Sequence, residues 1–226
     1  MLKGFSIAID GPVAAGKGTI APKLASKLNG FYLYTGAMYR CVALFCIRKG
    51  IDLNNEGSVD SILSKIKIEF KDDNIFLNGE DVTEEIKKEK VAMGSSKVAL
   101  YKDVRQKLVL YQKEIAHKAL SRGENVVAEG RDTGTKVLPK ANLKLFLTAD
   151  PQIRAKRRLA QIEKRGEKED FKTVLDDIKK RDKQDSKRKI DPLVTNPENY
   201  GYTILDNSNL TEEETIEKIL SLIKND

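Results

Sequence analysis

Short apolar runs alternate with amphipathic stretches along most of the chain, a pattern typical of strands followed by helices. The runs that predict core strands are residues 5–9, 31–34, 125–128, 143–148 and 202–205. Helical spacing follows the first run, where Ile20, Leu24 and Leu28 recur every four residues, and it returns in a last helix at about 212–224. This order predicts a three-layer α/β/α fold with a five-stranded parallel core sheet.

A different pattern occupies residues 65–79. Residues 65–70 and 74–79 alternate between apolar and polar side chains, which predicts a β-hairpin with a turn at 71–73. This small antiparallel β insert, at about 54–85, interrupts the α/β order and is either a substrate-side flap or an elaborated loop. Helical pattern precedes it at about 37–49 and follows it from about 84 to 121.

The segment GPVAAGKGT, residues 11–19, connects the first strand to the first helix. Gly11 and Gly16 permit backbone angles that a Cβ would block, so that N–H groups can point at a polyphosphate at the helix start. Lys17 adds a mobile ammonium group. Gly18 departs from the usual Ser or Thr after the lysine, and Thr19 supplies a hydroxyl one residue later. The segment predicts a phosphate-binding loop (P-loop); the alternative is a tight turn with a surface lysine.

Composition is that of a water-soluble protein with a substantial core. The 226 residues are 40% hydrophobic and 33% charged, and no apolar run approaches the ~20 residues of a membrane span. The first four residues lead into the first strand, so we expect no signal peptide. Cys41 and Cys46 fall within a helical pattern, and we expect them to be reduced core residues of a cytoplasmic protein.

The net charge of +7 is concentrated in residues 151–190, which hold 15 basic and 8 acidic residues. Two helices are predicted there: Arg154, Arg157 and Arg158 share a face of the first. Val174, Ile178, Arg181, Asp185 and Arg188 form one stripe on the second. The stripe begins apolar and becomes charged, which favours a polar ligand at the helix end; a solvated end with ion pairs is the alternative. The segment as a whole either faces bound polyanions, is a solvated face, or binds nucleic acid non-specifically.

Further charged residues stand at predicted element ends. Glu129, Arg131 and Asp132 follow the strand at 125–128, where ligands bind in open α/β sheets; an Arg131–Asp132 ion pair is the alternative. Arg40 falls in the first turn of the helix predicted at 37–49, where a cation opposes the helix dipole unless an anion binds there. A surface arginine paired with a carboxylate is the other interpretation. We interpret the lone His117 as a surface or half-buried residue.

Five blocks of this sequence resemble bacterial cytidylate kinases, nucleoside monophosphate kinases of the P-loop superfamily. They are IDGPVAAGKGT (9–19), TGAMYR (35–40), EGRDTGTKVLP (129–139), RAKRRL (154–159) and RDKQDSKR (181–188). The likeness follows the family's order and spacing over nearly the whole chain. One departure comes after Leu193, where residues 195–202 read TNPENYGY and are a few residues longer than the family's Ala-Asp-Ala-like stretch. The role of this loop is open.

The resemblance implies a set of site residues. ATP phosphates would be held by Gly11, Pro12, Val13, Ala14, Ala15, Gly16, Lys17, Gly18 and Thr19. Thr35, Arg40 and Arg131 would hold the CMP phosphate, while Ser96, Arg105 and Arg188 would read the cytosine. Arg181, Asp185 and Asp132 would lie on the substrate side, with Asp185 suited to a ribose hydroxyl. The catalytic groups would be Lys17, Arg131 and two arginines of the lid, Arg157 and Arg158.

The resemblance also implies an organisation and a reaction. A single kinase domain, 1–226, would comprise a core of about 1–53, 86–150 and 191–226, a monophosphate-binding insert of 54–85 and a lid of 151–190. It would transfer the γ-phosphoryl group of ATP to CMP or dCMP in pyrimidine nucleotide metabolism. Because the CMP phosphate has a second pKa near ~6, it is mostly ionised at neutral pH, and no general base is needed. Positioning and positive charge would supply the catalysis.

We expect Mg²⁺ to be held through phosphates and waters rather than by a protein cage, with Asp10 and Asp132 as candidates to orient those waters. We expect a cytoplasmic monomer whose partners are CMP and dCMP, with no membrane or stable nucleic-acid partner. The alternatives are a kinase for UMP or AMP, or a basic nucleic-acid-binding protein with a vestigial P-loop. A P-loop GTPase is disfavoured because no Asn-Lys-x-Asp motif occurs. The single aromatic residue of 151–190, Phe171, argues against nucleic-acid binding.

Overall fold

The structure is a computed structural model that describes residues 4–71 and 74–223. Its strands are β1 (Ser6–Asp10), β2 (Gly30–Tyr34), β3 (Ile68–Lys71), β4 (Asn74–Leu77), β5 (Glu80–Asp81), β6 (Asn125–Glu129), β7 (Leu143–Thr148) and β8 (Thr203–Asp206). Its α-helices are α1 (Lys17–Lys27), α2 (Thr35–Arg48), α3 (Glu56–Asp60), α4 (Glu89–Val98), α5 (Lys102–Ser121), α6 (Pro151–Glu163), α7 (Phe171–Lys187) and α8 (Glu212–Ile223).

The core sheet has the strand order β2-β6-β1-β7-β8. Strand β1 is buried along its whole length and pairs in parallel with β6 and β7, and β7 pairs in parallel with β8. A central strand of a parallel sheet is covered on both faces, which explains its continuous run of apolar residues. The predicted α/β fold with a five-stranded parallel core and a small antiparallel insert is confirmed. The carboxyl ends of β1, β6 and β7 share one edge, where the P-loop begins.

The chain divides into two compact units, the first formed by residues up to 33 and from 116 onward. The core of this unit packs β1 and β7 against α1 and α8. Its fully buried members include Ile7, Ile9, Leu24, Leu145 and Ile219. The four-residue spacing of α1 therefore places its apolar side chains against the sheet, as the pattern predicted.

The second unit comprises residues 34–115 and has its own core around α2. Helices α2 and α4 pack against each other there, and β3, β4 and β5 form a three-stranded antiparallel sheet beside them. Cys41 and Cys46 are buried, free thiols of α2, as expected. Burial raises the pKa of Cys41 to about 12 and that of Cys46 to about 11, so both thiols are protonated at neutral pH.

Several boundaries differ from the prediction. Strand β5 makes the insert three-stranded, which its two polar residues gave no pattern to indicate. The helical region at 84–121 is interrupted, with α4 ending at Val98 and α5 beginning at Lys102. Two positions of the predicted turn, Asp72 and Asp73, lie outside the described residues, as does Lys224 of the last predicted helix. Within the described residues, no helix combines the length and apolar character needed to cross a bilayer.

Candidate active site

The P-loop lies between the end of β1 and the start of α1. Gly11 (φ 150°) and Gly16 (φ 96°) both adopt angles that favour glycine. A Cβ on Gly11 would lie 2.0 Å from the carbonyl oxygen of Leu147, so no larger residue fits there. No side chain caps the start of α1, and its first turn holds no acidic residue. These helix N–H groups and the helix dipole therefore suit an anionic ligand.

Lys17 is folded back over the loop that precedes it. Its Nζ donates hydrogen bonds to the carbonyl oxygens of Gly11 (2.8 Å) and Pro12 (2.7 Å), and the residue is buried. Burial and the nearby positive charge of Arg131 lower the pKa of Lys17 to about 7, although the carboxylates of Glu129 and Asp10 oppose this. A polyanion at the loop would replace the two carbonyl contacts with stronger charge-assisted bonds.

The tip of the P-loop is held by an ion pair between the buried Arg154 and the half-buried Asp182. Arg154 of α6 donates from Nη1 to the Val13 carbonyl oxygen (2.9 Å) and to Asp182 Oδ2 (2.7 Å). The Val13 N–H in turn donates to Asp182 Oδ1 (3.1 Å). A third bond joins Arg154 Nε to the carbonyl oxygen of Ala149 (2.9 Å). Both backbone polar groups of Val13 are thus held by α6 and α7.

A second contact holds the loop at Ala15. The side-chain amide of Asn207 donates to the Ala15 carbonyl oxygen (3.2 Å) and is nearly inaccessible to solvent. Arg157 donates to the side-chain and main-chain oxygens of Asn207, at 3.0 and 2.8 Å. Burial lowers the pKa of Arg157. Arg157, assigned to the lid by resemblance, therefore contacts the P-loop through Asn207 in this structure.

Arg131 follows β6 and pairs with α7. Its Nε donates to Asp185 Oδ2 (2.7 Å) and its Nη1 to the Gly130 carbonyl oxygen (3.1 Å). Burial acts to lower the pKa of Arg131, but the carboxylates of Asp185, Glu129 and Asp182 together outweigh it, so the pKa is raised. Burial likewise raises the pKa of Asp185, yet Arg131 and Arg188 outweigh it and hold that pKa below its usual range. Within the described residues, Arg131 pairs with Asp185 and not with Asp132, the alternative partner.

The charged end of α7 gathers the remaining predicted residues of the first unit. Arg188 lies 3.4 Å from Asp132 and 3.9 Å from Asp185, and its Nε donates to the Asp191 carbonyl oxygen (2.7 Å). Val174 and Ile178 are buried while Arg181 is half-buried, so the predicted stripe is confirmed from its apolar start to its charged end.

Arg158, on α6, is half-buried and donates to Gln161 Oε1 (3.3 Å).

Asp10 has a different role from the one considered for it. It is fully buried at the end of β1. Its Oδ1 accepts the Thr133 N–H (2.9 Å), and its Oδ2 accepts the Gly134 N–H (2.7 Å) and the Tyr202 hydroxyl (2.6 Å). Because three protein donors occupy its two oxygens, Asp10 is an internal anchor and does not fit the role of orienting waters on magnesium.

Four predicted residues belong to the second unit. Thr35 is buried and its carbonyl oxygen accepts from Gln112 (3.4 Å). Helix α2 begins at Thr35, so Arg40 lies beyond its first turn, and the predicted conflict between Arg40 and the helix dipole is wrong. The Arg40 side chain donates to the Ile86 carbonyl oxygen (2.6 Å). Ser96 donates to the Ala92 carbonyl oxygen (3.3 Å). Arg105 is 1% exposed, with its guanidinium 5.5 Å from the Tyr39 ring centroid.

Sequence reasoning missed the residues that hold the loops in place. Asp182 lies inside the block RDKQDSKR (181–188), but outside the stripe of Arg181, Asp185 and Arg188, and Asn207 follows the last predicted strand without a pattern of its own. Arg154 was grouped with Arg157 and Arg158 on one helix face, and only its burial separates it from them. Tyr202 lies in the loop that departs from the family, and that departure was the one available signal. His117 is exposed, as predicted.

The profile of the family described as cytidylate kinase matches residues 7–225. A cytidylate kinase of Caldanaerobacter subterraneus subsp. tengcongensis is 44% identical over 96% of this chain and 94% of its own length. One of Clostridium botulinum is 42% identical over 98% of this chain and 99% of its own length. The structure of a gluconokinase from Sinorhizobium meliloti 1021 covers 100% of this chain and 94% of its own with a TM-score of 0.52 and 13% identity, a likeness of fold alone.

Proposed function

The chain belongs to the cytidylate kinase family, and from this premise we propose that it transfers the γ-phosphoryl group of ATP to CMP or dCMP. The observation that carries the proposal is the family match over residues 7–225, together with relatives at 42–44% identity over nearly the whole chain. The uncapped, glycine-rich start of α1 supports ATP as the phosphoryl donor. We propose cytoplasmic pyrimidine nucleotide metabolism as the setting.

The chemistry requires two polyanions to be brought together and the charge of the transferring group to be stabilised. The residues of the first unit suit this task. Lys17 and the N–H groups at the start of α1 would bind the ATP phosphates, and Arg131 would bind the phosphoryl group in transfer. Since Asp185 already fixes the guanidinium of Arg131, little conformational freedom remains to be lost when substrate binds.

The oxygen-rich start of α1 fits a magnesium ion that arrives with ATP. The Thr19 hydroxyl is on the first turn, and Glu129 Oε1 would lie 3.4 Å from a Cβ built on Gly18. Magnesium prefers such hard oxygen donors and usually retains several waters. When bound, it would neutralise part of the charge on the phosphates. Glu129 is kept in place by a hydrogen bond from the Tyr32 hydroxyl (2.8 Å).

The substrate specificity is assigned by resemblance. We propose that Thr35 and Arg40 bind the CMP phosphate with Arg131, and that Asp185 accepts a hydrogen bond from the ribose. Ser96, Arg105 and Arg188 are the proposed readers of the cytosine. A carboxylate or guanidinium that pairs with one base edge discriminates strongly against a base that leaves it unpaired.

The test is ADP release from ATP and Mg²⁺ with CMP, dCMP, UMP, AMP or GMP as acceptor. We expect strong turnover with CMP and dCMP, little with UMP and none with the purines. Turnover with AMP would overturn the cytosine-reading roles, and no turnover with any acceptor would overturn the proposed function. Lys17→Met should abolish activity, while Lys27→Met, an exposed lysine at the other end of α1, serves as the matched control.

A further inference from the structure

The segment after Arg131 and Asp132 begins with a short π-helix, Thr133–Val137. The first N–H groups of any helix have no partner within it and need a cap. Asp132 occupies the N-cap position, but its side chain makes no capping bond. The cap comes instead from Asp10 of β1, which accepts the Thr133 and Gly134 N–H groups. The Asp132 carboxylate is thereby left to face Arg188.

The Thr133 side chain adds no anchor of its own. Thr133 is 1% exposed, and within the described residues its hydroxyl has no hydrogen-bond partner. The start of the segment is therefore held through main-chain groups, and its Thr133 and Gly134 N–H groups bond to Asp10. Asp10, in turn, is 0% exposed, so its orientation depends on the donors that surround it.

Tyr202 supplies the third of those donors, and it reaches Asp10 across 192 positions of the sequence (2.6 Å). Burial and the adjacent Asp10 carboxylate raise the pKa of Tyr202, so the phenol remains protonated and donates at any working pH. Its ring is fixed on two further sides, edge-on to Phe146 (6.2 Å between centroids) and beneath the Lys144 ammonium. A Cβ on Gly134 would lie 2.7 Å from the phenolic oxygen, so the two residues are in close contact.

We propose that Tyr202 is a positioning residue: its hydroxyl orients Asp10, and Asp10 holds the start of the π-helix and with it the adjoining Arg131 and Asp132. The proposal rests on the proposed function for the roles of those two residues. It also gives a purpose to the 195–202 loop, whose 3₁₀ turn Pro197–Tyr200 ends directly before Gly201 and delivers Tyr202 to the end of β1. A buried carboxylate that loses one of its donors is free to rotate, and the N–H groups bonded to it then lose their fixed acceptor.

Tyr202→Phe removes the hydroxyl and keeps the ring, and Tyr200→Phe is the matched control, since Tyr200 is an exposed tyrosine of the same loop. Two measurements are compared: amide hydrogen exchange at Thr133 and Gly134, and steady-state kinetics for each substrate. We expect about tenfold faster exchange and about tenfold lower kcat in Tyr202→Phe, with KM for ATP within about twofold of the parent. Tyr200→Phe should match the parent in both.

Unchanged exchange at Thr133 and Gly134 would overturn the proposal, as would faster exchange with unchanged kcat. A rise in KM for ATP equal to the fall in kcat would also overturn it, because that result indicates general loss of structure. If the parent protein does not phosphorylate CMP, the proposed function fails, and the exchange comparison still decides whether the hydroxyl holds the segment.

A second variant tests the same contact from the other side. Gly134→Ala places a methyl group against the phenol and should displace it from Asp10. The double variant Gly134→Ala/Tyr202→Phe should then exchange no faster than the faster single variant, because both changes break one contact. Additive effects on exchange would show two separate contacts and would overturn the proposal. This variant also keeps the test open if Tyr202→Phe fails to fold.

Discussion

Helix α7 carries two aspartates that each pair with an arginine: Asp182 with Arg154, and Asp185 with Arg131. The two pairs differ in what surrounds the guanidinium. The side chain of Arg154 is 5% exposed, and that of Arg131 is 22% exposed. Arg154 donates to Asp182 and to the carbonyl oxygens of Ala149 and Val13. Arg131 donates to Asp185 and to the carbonyl oxygen of its neighbour Gly130. Within the described residues, Nη2 has no hydrogen-bond partner in either arginine, so the pairs differ in the number of protein acceptors and in exposure.

The same kind of ion pair can either fix a loop or present a cation to a ligand, depending on how far the guanidinium is exposed. A guanidinium has five N–H donors in a planar fork. Where three protein oxygens accept from the guanidinium and the side chain is almost inaccessible to water, as at Arg154, the group is an anchor. Where part of the side chain stays accessible, as at Arg131, the paired aspartate orients the fork and the open side can bind a phosphoryl oxygen.

The largest expected effect is a loss of enzymatic activity when the arginine of the more exposed pair, Arg131, is replaced. Arg131→Ala should lower kcat/KM for CMP phosphorylation by about 10³-fold or more, because an arginine that stabilises a transferring phosphoryl group contributes that much. Steady-state ADP release measures it, and Arg122→Ala, an exposed arginine paired with Glu124, is the control. Turnover equal to the parent's would remove Arg131 from the active site.

Arg154→Met should act on stability instead. It leaves Asp182 without its cation and the Val13 and Ala149 carbonyl oxygens without a donor, so we expect the free energy of unfolding to fall by about 3 kcal/mol. Urea unfolding monitored by circular dichroism measures this loss. Lys156→Met changes an exposed cation of the same helix and should have little effect. Equal stability of Arg154→Met and Lys156→Met would refute the anchoring role.

Asp182 and Asp185 should differ in which nucleotide binds more weakly when each is replaced. Asp185→Ala should weaken CMP binding about tenfold and ATP binding much less, since Asp185 orients Arg131. Asp182→Ala should do the reverse, because Asp182 holds the Val13 N–H in the P-loop. Calorimetric titration with each nucleotide measures both, with the exposed Asp177 changed to alanine as control. If each variant weakens both nucleotides equally, the proposed division between the aspartates is wrong.

The smallest expected effect is on the number of protons that the protein takes up when ATP binds. Burial and then Arg131 lower the pKa of Lys17 to about 7, so Lys17 is mostly neutral at pH 8 and mostly charged at pH 6. A bound polyanion favours the ammonium, so ATP binding should take up about 0.9 proton at this group at pH 8 and about 0.1 at pH 6. The affinity of the protein for ATP should accordingly fall as the pH rises above 7, because the free Lys17 is then mostly deprotonated.

Titration calorimetry in buffers of different ionisation enthalpy measures the uptake. Lys17→Arg keeps the charge and does not titrate, so it should lose the uptake at pH 8. Arg131→Ala should reduce it by raising the pKa of Lys17, whereas Arg154→Met should not, since Arg154 is not among the groups that shift this pKa. Equal uptake in the parent and in Lys17→Arg would contradict the assignment.

Local patterns in the sequence were sufficient for the fold and for part of the site. Apolar runs and four-residue spacing predicted the core strands and α1, and the glycines and Lys17 of 11–19 predicted the P-loop. The stripe on α7 predicted the change from buried Ile178 to the charged Asp185. Strand β5 and the π-helix after Asp132 could not be predicted, because two polar residues carry no period and a π-helix has no pattern of its own.

What the sequence by itself determined is therefore the set of elements and the chemical groups at their ends, since periodicity and turn residues act over a few neighbouring positions. The tertiary structure alone decided how those groups are used. Val13 meets Asp182 across 169 positions, and Asp10 meets Tyr202 across 192. Arg131 and Arg154 have identical side chains, and only the packing around each determines how many protein oxygens accept from it and how much of its surface stays open to a ligand.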